Sequence, residues 1–297
     1  MTNSFFTPQL LLASKSPRRR QLLVDSGFKV DFVDIDVEED FNEQLKAQAI
    51  PEFLAVKKSR AFDHALKACD DAFLMKTLAR EIALKKGLLL TFMPKPVPDR
   101  GGSGLHVNFS FADKANQNQI APAGALSELA KHCIAGLIHH HEALAGLLAV
   151  TVNSYDRLAA GSLAGYWANW AEDHRLVTTR CSTSSPKSAR LEHRMADCAT
   201  NPYQAVAAVL QAARLGVAGS LPLQPAEDLD GLENVRERRH IPSGLDKSLD
   251  ALDKDVRLRQ AVGEAYCDGL LYLKRDEFKR LLNKSVDEVR DYYLPFV

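Results

Sequence analysis

The chain has 297 residues, 46% of them hydrophobic and 26% charged, and its 38 basic residues balance 38 acidic ones. That is ample for one large or two modest domains, and the balance excludes a broad electrostatic footprint for nucleic acid or a membrane surface, so any basic site must be local. Cys69, Cys133, Cys181, Cys198 and Cys267 are scattered without a CxxC pair, no apolar run reaches spanning length, and no basic region followed by a long apolar one opens the chain, so the expected setting is reducing and cytoplasmic, with no nucleic-acid or membrane partner.

The first elements lie in "QLLLASKSPRRRQLLVDSGFKVDFVDID": a short apolar strand, a Ser/Lys/Pro/Arg turn, a helix stopped at Gly27 and an alternating strand from Phe28 to Ile35. Ser16 and Pro17 suit a helix start, yet Arg18, Arg19 and Arg20 fill the first turn, where the helix dipole disfavours cations. An anion on the free N–H groups, with Ser14, Ser16 and an arginine around it, would relieve that conflict. The alternative is a short helix with solvated arginines. "LLLASKSPRRRQLL", "VDIDVEEDF" and "IPEFLAVKKSRAF" together resemble the opening of the Maf family of nucleotide pyrophosphatases over residues 9–62. The resemblance implies Ser14, Arg18, Glu38 and Lys58 as phosphate-side and metal-side positions. Where that family continues with a Gly-Ala-Asp-Thr stretch this chain reads "DHALKACDDAFLMK", so the segment reads as half a site.

From residue 66 the pattern changes. "DDAFLMKTLAREIALKKG" predicts an amphipathic helix with Leu74, Met75, Leu78, Ile82 and Ala83 on its apolar stripe and Gly87 as its stop. "LLLTFMP" reads as a buried strand, "KPVPDRGGSG" as a loop, and "LHVNFSF" as a strand with Leu105, Val107, Phe109 and Phe111 toward the core and His106, Asn108 and Ser110 on the other face. A single strand histidine is usually structural, but His106 follows a glycine-rich turn that lets a ligand approach the backbone. "SELAKHCIAGLIHHHEALAGLL" predicts one long helix, with His139 to His141 as a polar end, because consecutive helical residues do not share a face to bind a metal. Arg157, Arg175, Arg180, Lys187, Arg190 and Arg194 then accumulate in strand and turn segments, which suits an anionic ligand.

"SARLEHRMADCATNPYQAVAAVLQAA" places Arg190, Glu192 and Arg194 at the strand period of two, with Leu191, His193 and Met195 on the opposite face, and an Asn201-Pro202 helix start directly after. Two explanations fit. Glu192 neutralises its neighbours on a solvated face, or the carboxylate holds a metal while the guanidiniums hold phosphate or carboxylate.

"TFMPKP", "GGSGLHV", "IAGLIHH", "VTVNSYDRL", "ARLEHRMAD", "NPYQAVAAVLQAA" and "YYLPFV" occur, in this order, across residues 66–297, and the series is similar to the glutamine synthetase family. The resemblance implies His106 and Glu192 as ligands of a Mg or Mn ion bridging ATP phosphates. It puts Gly102, Arg157, Arg175 and Arg194 on the glutamate side and Asn108, Ser110, Arg175, Arg180 and Lys187 on the ATP side, with Arg190 at the phosphoryl-transfer centre and Arg190 and Glu192 as the catalytic pair. The implied chemistry is phosphorylation of a carboxylate by ATP followed by attack of an amine on the acyl phosphate. Three departures stand out: Gly101 in place of the usual Asn, Asn108 in place of His, and Leu163 where the family places a flap Glu, which leaves room for an amine larger than ammonia. The family's small N-terminal domain and its strands bearing further Glu ligands are missing upstream of residue 66.

The expected architecture is therefore α+β: a truncated glutamine-synthetase catalytic domain over residues 66–297, with an antiparallel sheet backed by helices, after a partial α/β Maf-like segment over residues 1–65. The expected function is that of an ATP-dependent carboxylate–amine ligase acting on glutamate or a similar carboxylate, impaired by the missing carboxylates and homo-oligomeric if the family assembly persists. The alternatives are a Maf-like pyrophosphatase and a noncatalytic, nucleotide-binding or oligomerising remnant.

Overall fold

The computed structural model describes residues 10–12, 30–32, 50–162, 165–231 and 234–297, with side chains from residue 64 onward. The chain divides into two compact units, Met1–Ala68 and Cys69–Val297. In the first, β1 (Leu10–Leu12) and β2 (Val30–Phe32) pair in parallel, Leu11 opposite Asp31, and α1 (Ile50–Lys85) begins. Ser14, Arg18 and Glu38 lie outside the described residues, and Lys58 falls on α1 with its side chain undescribed.

In the second unit, α1 docks by its polar side. Lys76 donates to the Cys198 carbonyl at 2.5 Å, Cys69 is buried against Pro202, and the cations of Lys76 and Arg80 lie over the Phe92 ring at 5.3 and 5.6 Å. The stripe expected to face the core is instead exposed: Leu74 and Met75 are each 54% accessible and Ile82 55%. The strand expected at "LLLTFMP" does not form either. No described strand pairs with it, Leu88 and Leu89 are exposed, and burial begins only at Met93. There Met93 packs with Leu281, Val289 and Tyr293 in a small second core, Thr91 donates to the Val297 carbonyl at 2.7 Å, and the Tyr293 hydroxyl accepts from the Val152 N–H. Residues of "YYLPFV" thereby brace "TFMP".

The main sheet has the order β3 (Val107–Phe109), β6 (Arg190–His193), β5 (Thr179–Ser182), β4 (Trp170–Glu172). The pairs β3–β6 and β6–β5 are antiparallel, whereas β4 and β5 run parallel, so the sheet is mixed rather than wholly antiparallel. The chain turns back after Glu172 through Asp173, at φ 48°, and residues 173–178 give it length to return before β5 begins. Val107, Cys181 and Leu191 enter a core shared with α2 (Glu128–His139), α3 (His141–Leu148), α5 (Pro202–Ala218) and α6 (Leu245–Lys254). Between α3 and α5 a single turn, α4 (Ser154–Arg157), ends in Arg157, which is thus helical rather than on a strand or turn. α5 starts as expected, the Asn201 side chain accepting from the N–H groups of Tyr203 and Gln204. Beyond α6 come α7 (Val256–Val262), α8 (Glu264–Leu281) and α9 (Val286–Tyr293). No helix among the described residues is long and apolar enough to cross a membrane.

The single helix expected over residues 127–148 is two, broken at His140 (φ −95°, ψ 14°). His140 and His141 are buried and so form no polar end; three successive side chains point in different directions and two of them find separate inward partners. His141 Nε2 meets the Tyr166 carbonyl at 3.0 Å, and His140 Nδ1 lies 2.5 Å from Asp255 Oδ2. Burial pushes the Asp255 carboxyl up, but the hydrogen bonds from His140 and the Leu258 N–H, with the charges of His140 and His139, hold it below its ordinary range. The stability from this carboxylate is therefore present in full above its unfolded value near pH 4 and lost as pH falls through the depressed folded value. Asp255→Asn keeps a capping side chain but loses the charge. It should lower stability at pH 7 by about 1–2 kcal/mol, a gap in melting temperature that closes as thermal scans are taken from pH 5 down to pH 3.

Candidate active site

Strand register builds the site. Asn108 and Arg180 stand directly across from Glu192 on β3 and β5, so the three side chains share the face that the period-two pattern assigns to Glu192. Glu192 Oε1 accepts from Arg194 Nη1 at 2.7 Å and lies 3.0 Å from His106 Nδ1, while Oε2 accepts from Arg180 Nη1 at 3.2 Å. Arg180 Nη2 also reaches Asp173 Oδ1 at 3.4 Å, and Arg190 Nε donates to Asn108 Oδ1 at 3.2 Å. Burial raises the Glu192 carboxyl, yet the charge and hydrogen bond of Arg194, with the charge of Arg180, outweigh it and hold the group below its usual range. His106 is pushed down by burial and by Arg194, with partial relief from Glu192, so its imidazole is neutral at pH 7.

The glycine loop lies against this cluster. Ser103 holds it to "TFMP" by donating from its N–H to the Pro94 carbonyl at 2.8 Å and from its hydroxyl to the Met93 carbonyl at 2.9 Å. A Cβ on Gly102 would sit 2.6 Å from the Pro94 oxygen and 3.1 Å from Arg157 Cγ, and one on Gly104 would sit 2.8 Å from Arg157 Nη2 and 2.9 Å from His106 Nε2. At Gly102, where the obstacle is a backbone oxygen, only glycine lets the chain approach so closely. Arg157 forms the floor below. It is 7% exposed, and its Nη1 and Nη2 donate to the carbonyls of Met195 and Arg194 at 2.8 and 3.2 Å, so it braces the end of β6.

The structure thus gathers His106, Asn108, Arg180, Arg190, Glu192 and Arg194 on one face, with Gly102 and Arg157 beside and beneath it. It does not bring in the others. Arg175 is exposed in the turn between β4 and β5, Lys187 is exposed on the short 3₁₀ turn Pro186–Ser188, and Ser110 is exposed just past β3; no hydrogen bond or ion pair links them to Glu192 among the described residues. Leu163 lies outside the described residues.

Sequence reasoning missed two supports. Asp197 is fully buried behind the loop and pairs by backbone with Gly104, its Oδ1 accepting from the Ala199 N–H at 2.9 Å. Burial pushes its carboxyl up, against the pull of Ser154 and Arg157. Asn153 clasps "PKP" by accepting from the Lys95 N–H and donating to the Lys95 carbonyl, both at 2.8 Å. The only signal for either was an acidic or amide residue inside an otherwise apolar motif, "RMAD" and "TVNSY".

The residues present do not by themselves fit a Mg or Mn ion. His106 and Glu192 are engaged with each other, the remaining acceptor capacity of Glu192 faces two guanidiniums, and no cluster of three or more His, Cys, Asp or Glu among the described residues could hold a metal.

Residues 43–293 match the glutamine synthetase catalytic domain. The chain belongs to this family. The glutamine synthetase of Pyrococcus abyssi is 31% identical, over 93% of this chain and 66% of its own length. The gamma-glutamylputrescine synthetase PuuA of Escherichia coli is 32% identical, over 84% of this chain and 55% of its own length, and the glutamate–methylamine ligase of Methyloversatilis universalis 36%, over 79% and 55%. The solved structure of apo GmaS without ligand superposes with a TM-score of 0.67 at 29% identity, covering 76% of this chain and 53% of that one. The chain spans between about half and two thirds of the length of these glutamine synthetase relatives. The match begins at residue 43, upstream of the start expected at residue 66, so residues 43–62, expected to be Maf-like, fall within the glutamine synthetase match.

Proposed function

We propose that the chain carries the catalytic face of an ATP-dependent carboxylate–amine ligase that makes a γ-glutamyl amide through an acyl phosphate. The observation that carries this reading is the row Arg180, Glu192, Arg194 beside His106 and the glycine loop, in a chain whose family includes ligases named for glutamine, gamma-glutamylputrescine and methylamine. In this reading the forks of Arg180 and Arg190 meet phosphate oxygens of ATP, with Asn108, Ser110 and Lys187 on the nucleotide side. Arg194 and Gly102 meet the glutamate, Arg157 holds the strand end that presents Arg194, and Arg175 closes in from its turn. A glutamate carboxylate oxygen takes the γ-phosphoryl group, ADP leaves, the amine lone pair attacks the acyl carbon, phosphate leaves, and the amine proton passes to solvent. The amine is ammonia or a small primary alkylamine, the larger choice being favoured by Leu163 at the flap position. The homo-oligomeric state implied by the family resemblance is part of the same proposal.

The test is ADP release by the purified chain with ATP, Mg, glutamate and, in turn, ammonia, methylamine and putrescine. ADP and γ-glutamyl amide should form in equal amounts, at less than roughly 1 per second, the low end for competent enzymes, because one carboxylate serves the described centre. ADP without amide, or binding with neither product, would refute it.

The division at residue 65 and the Maf-like opening also stand as proposals. The parallel pairing of β1 with β2, which a strand–helix–strand opening requires, supports the second of these, whereas α1 (Ile50–Lys85) runs unbroken through residue 65. Pyrophosphate release from nucleoside triphosphates that disappears in Arg18→Ala and survives Glu192→Ala would move the activity to that segment; none is expected.

A further inference from the structure

A carboxylate has about four lone-pair directions on its two oxygens. Glu192 directs three of them at Arg194, His106 and Arg180. The arrangement follows from the sheet itself, since Arg180 stands directly across β5–β6 from Glu192 and Arg194 leaves the same strand two residues on. His106 turns Nδ1 to the carboxylate and Nε2 toward Gly104. One ring nitrogen cannot serve the carboxylate and an ion together, and an ion on Nε2 would stand on the far side of the ring from Glu192. For both residues to hold one dication, the 3.0 Å contact must break, and the ion would sit on a carboxylate already shared by two guanidiniums, which would face it as like charges.

We propose that Glu192 in this chain is a counter-ion that holds the Arg180 and Arg194 forks in place, not a metal ligand, and that this face takes a polyphosphate anion directly, in its metal-free form. The inference rests on the reading of this face as the phosphate-binding side of the ligase. Guanidinium forks meet phosphate oxygens in pairs, and Glu192 with the more exposed Asp173 sets two carboxylates against the guanidiniums of Arg180, Arg190 and Arg194, which leaves the face cationic. Arg190, fixed by Asn108 at 3.2 Å, extends the cationic row along the strand.

The experiment is calorimetric titration of the full chain with tripolyphosphate and with ADP, each in EDTA and again with excess Mg, beside Mn alone followed by electron paramagnetic resonance. Tripolyphosphate should bind in EDTA within about threefold of its affinity with Mg, Mn alone should show no saturable site, and Arg180→Ala should weaken tripolyphosphate about tenfold or more. ADP binding with no tripolyphosphate binding would place recognition on the nucleoside and overturn the proposal. A saturable Mn site lost in Glu192→Gln, or tripolyphosphate that binds only as its metal complex, would overturn it as well. Arg180→Lys retains charge without the fork and should recover only part of the affinity; it carries the comparison if Arg180→Ala does not fold. No turnover is read, so failure of the ligase reading shows in the product assay alone and failure of this proposal shows here.

Discussion

Gly216→Ala should lower stability by about 3 kcal/mol or more, the upper end of the range for overpacking. α2 and α5 cross where Gly136 faces Gly216, each glycine taking the place a methyl group would fill. A Cβ on Gly216 would run into the His132 carbonyl oxygen and lie 2.6 Å from the Gly136 nitrogen, and one on Gly136 would run into the Ala212 carbonyl and lie 2.8 Å from Gly216 Cα. These obstacles are backbone atoms in helix interiors, so no rotamer change relieves them; the helices must separate and open the core around Ile134, Leu137 and Val209. The better helix propensity of alanine returns at most about 1 kcal/mol. Gly269→Ala is the opposing control, because Gly269 lies on α8 with nothing within 4 Å of its Cβ position, and it should raise stability by a few tenths to about 1 kcal/mol. At roughly 2–4 °C per kcal/mol for a domain of this size, melting temperatures should separate the variants by more than about 6 °C. A Gly216→Ala protein that melts with the parent would mean that the two helices cross elsewhere.

On the ligase reading Arg194→Ala should reduce kcat/KM for amide formation by about 10²–10³, because it removes a buried guanidinium fork from the glutamate side and leaves its partner Glu192 short of a donor. Its Nη1 bond to Glu192 at 2.7 Å is the shortest of the cluster, and its backbone is pinned by the bond from its N–H to the Thr178 carbonyl at 2.9 Å and by the hold of Arg157 on its own carbonyl. Removing the side chain takes away a fork and leaves Glu192 Oε1 with His106 as its remaining partner in the cluster. Arg194→Lys should recover a minor part, since an ammonium supplies charge without two parallel donors. The melting temperature should change little for Lys, and an equal loss of activity and stability in both variants would assign Arg194 a purely structural role.

The charged face was legible from the chain because strand period is strict: residues two apart must share a side, and "RLEHR" leaves no other way to place two arginines and a glutamate. The Asn201-Pro202 start was legible for a similarly local reason, a side chain that caps N–H groups two and three residues on. What depended on remote partners was not. α1 carries a regular apolar stripe, and period alone assigns that stripe to the core; the docking side is decided instead by Lys76 reaching the Cys198 carbonyl, 122 residues away. The break at His140 depends on Asp255, and the floor of the site depends on Asp197 and Arg157, residues that no spacing rule joins. Leu88 to Leu90 have strand composition, but a strand is a pairing, and no described segment offers them one.

The brace between "TFMP" and the residues around Tyr293 has a consequence in time. Thr91 and Val297 are 206 residues apart in sequence, yet their bond, with Met93 against Tyr293, seats the backbone that anchors Ser103 and so the glycine loop. A ribosome adding 5–20 residues per second would leave that loop unbraced for roughly 10–40 s after its own synthesis. During that interval Gly101 to Gly104 can sample conformations later denied to them, and an enzyme that trims nascent chains would find its target there, whereas the strand that carries Glu192 emerges close behind its own partner, β5.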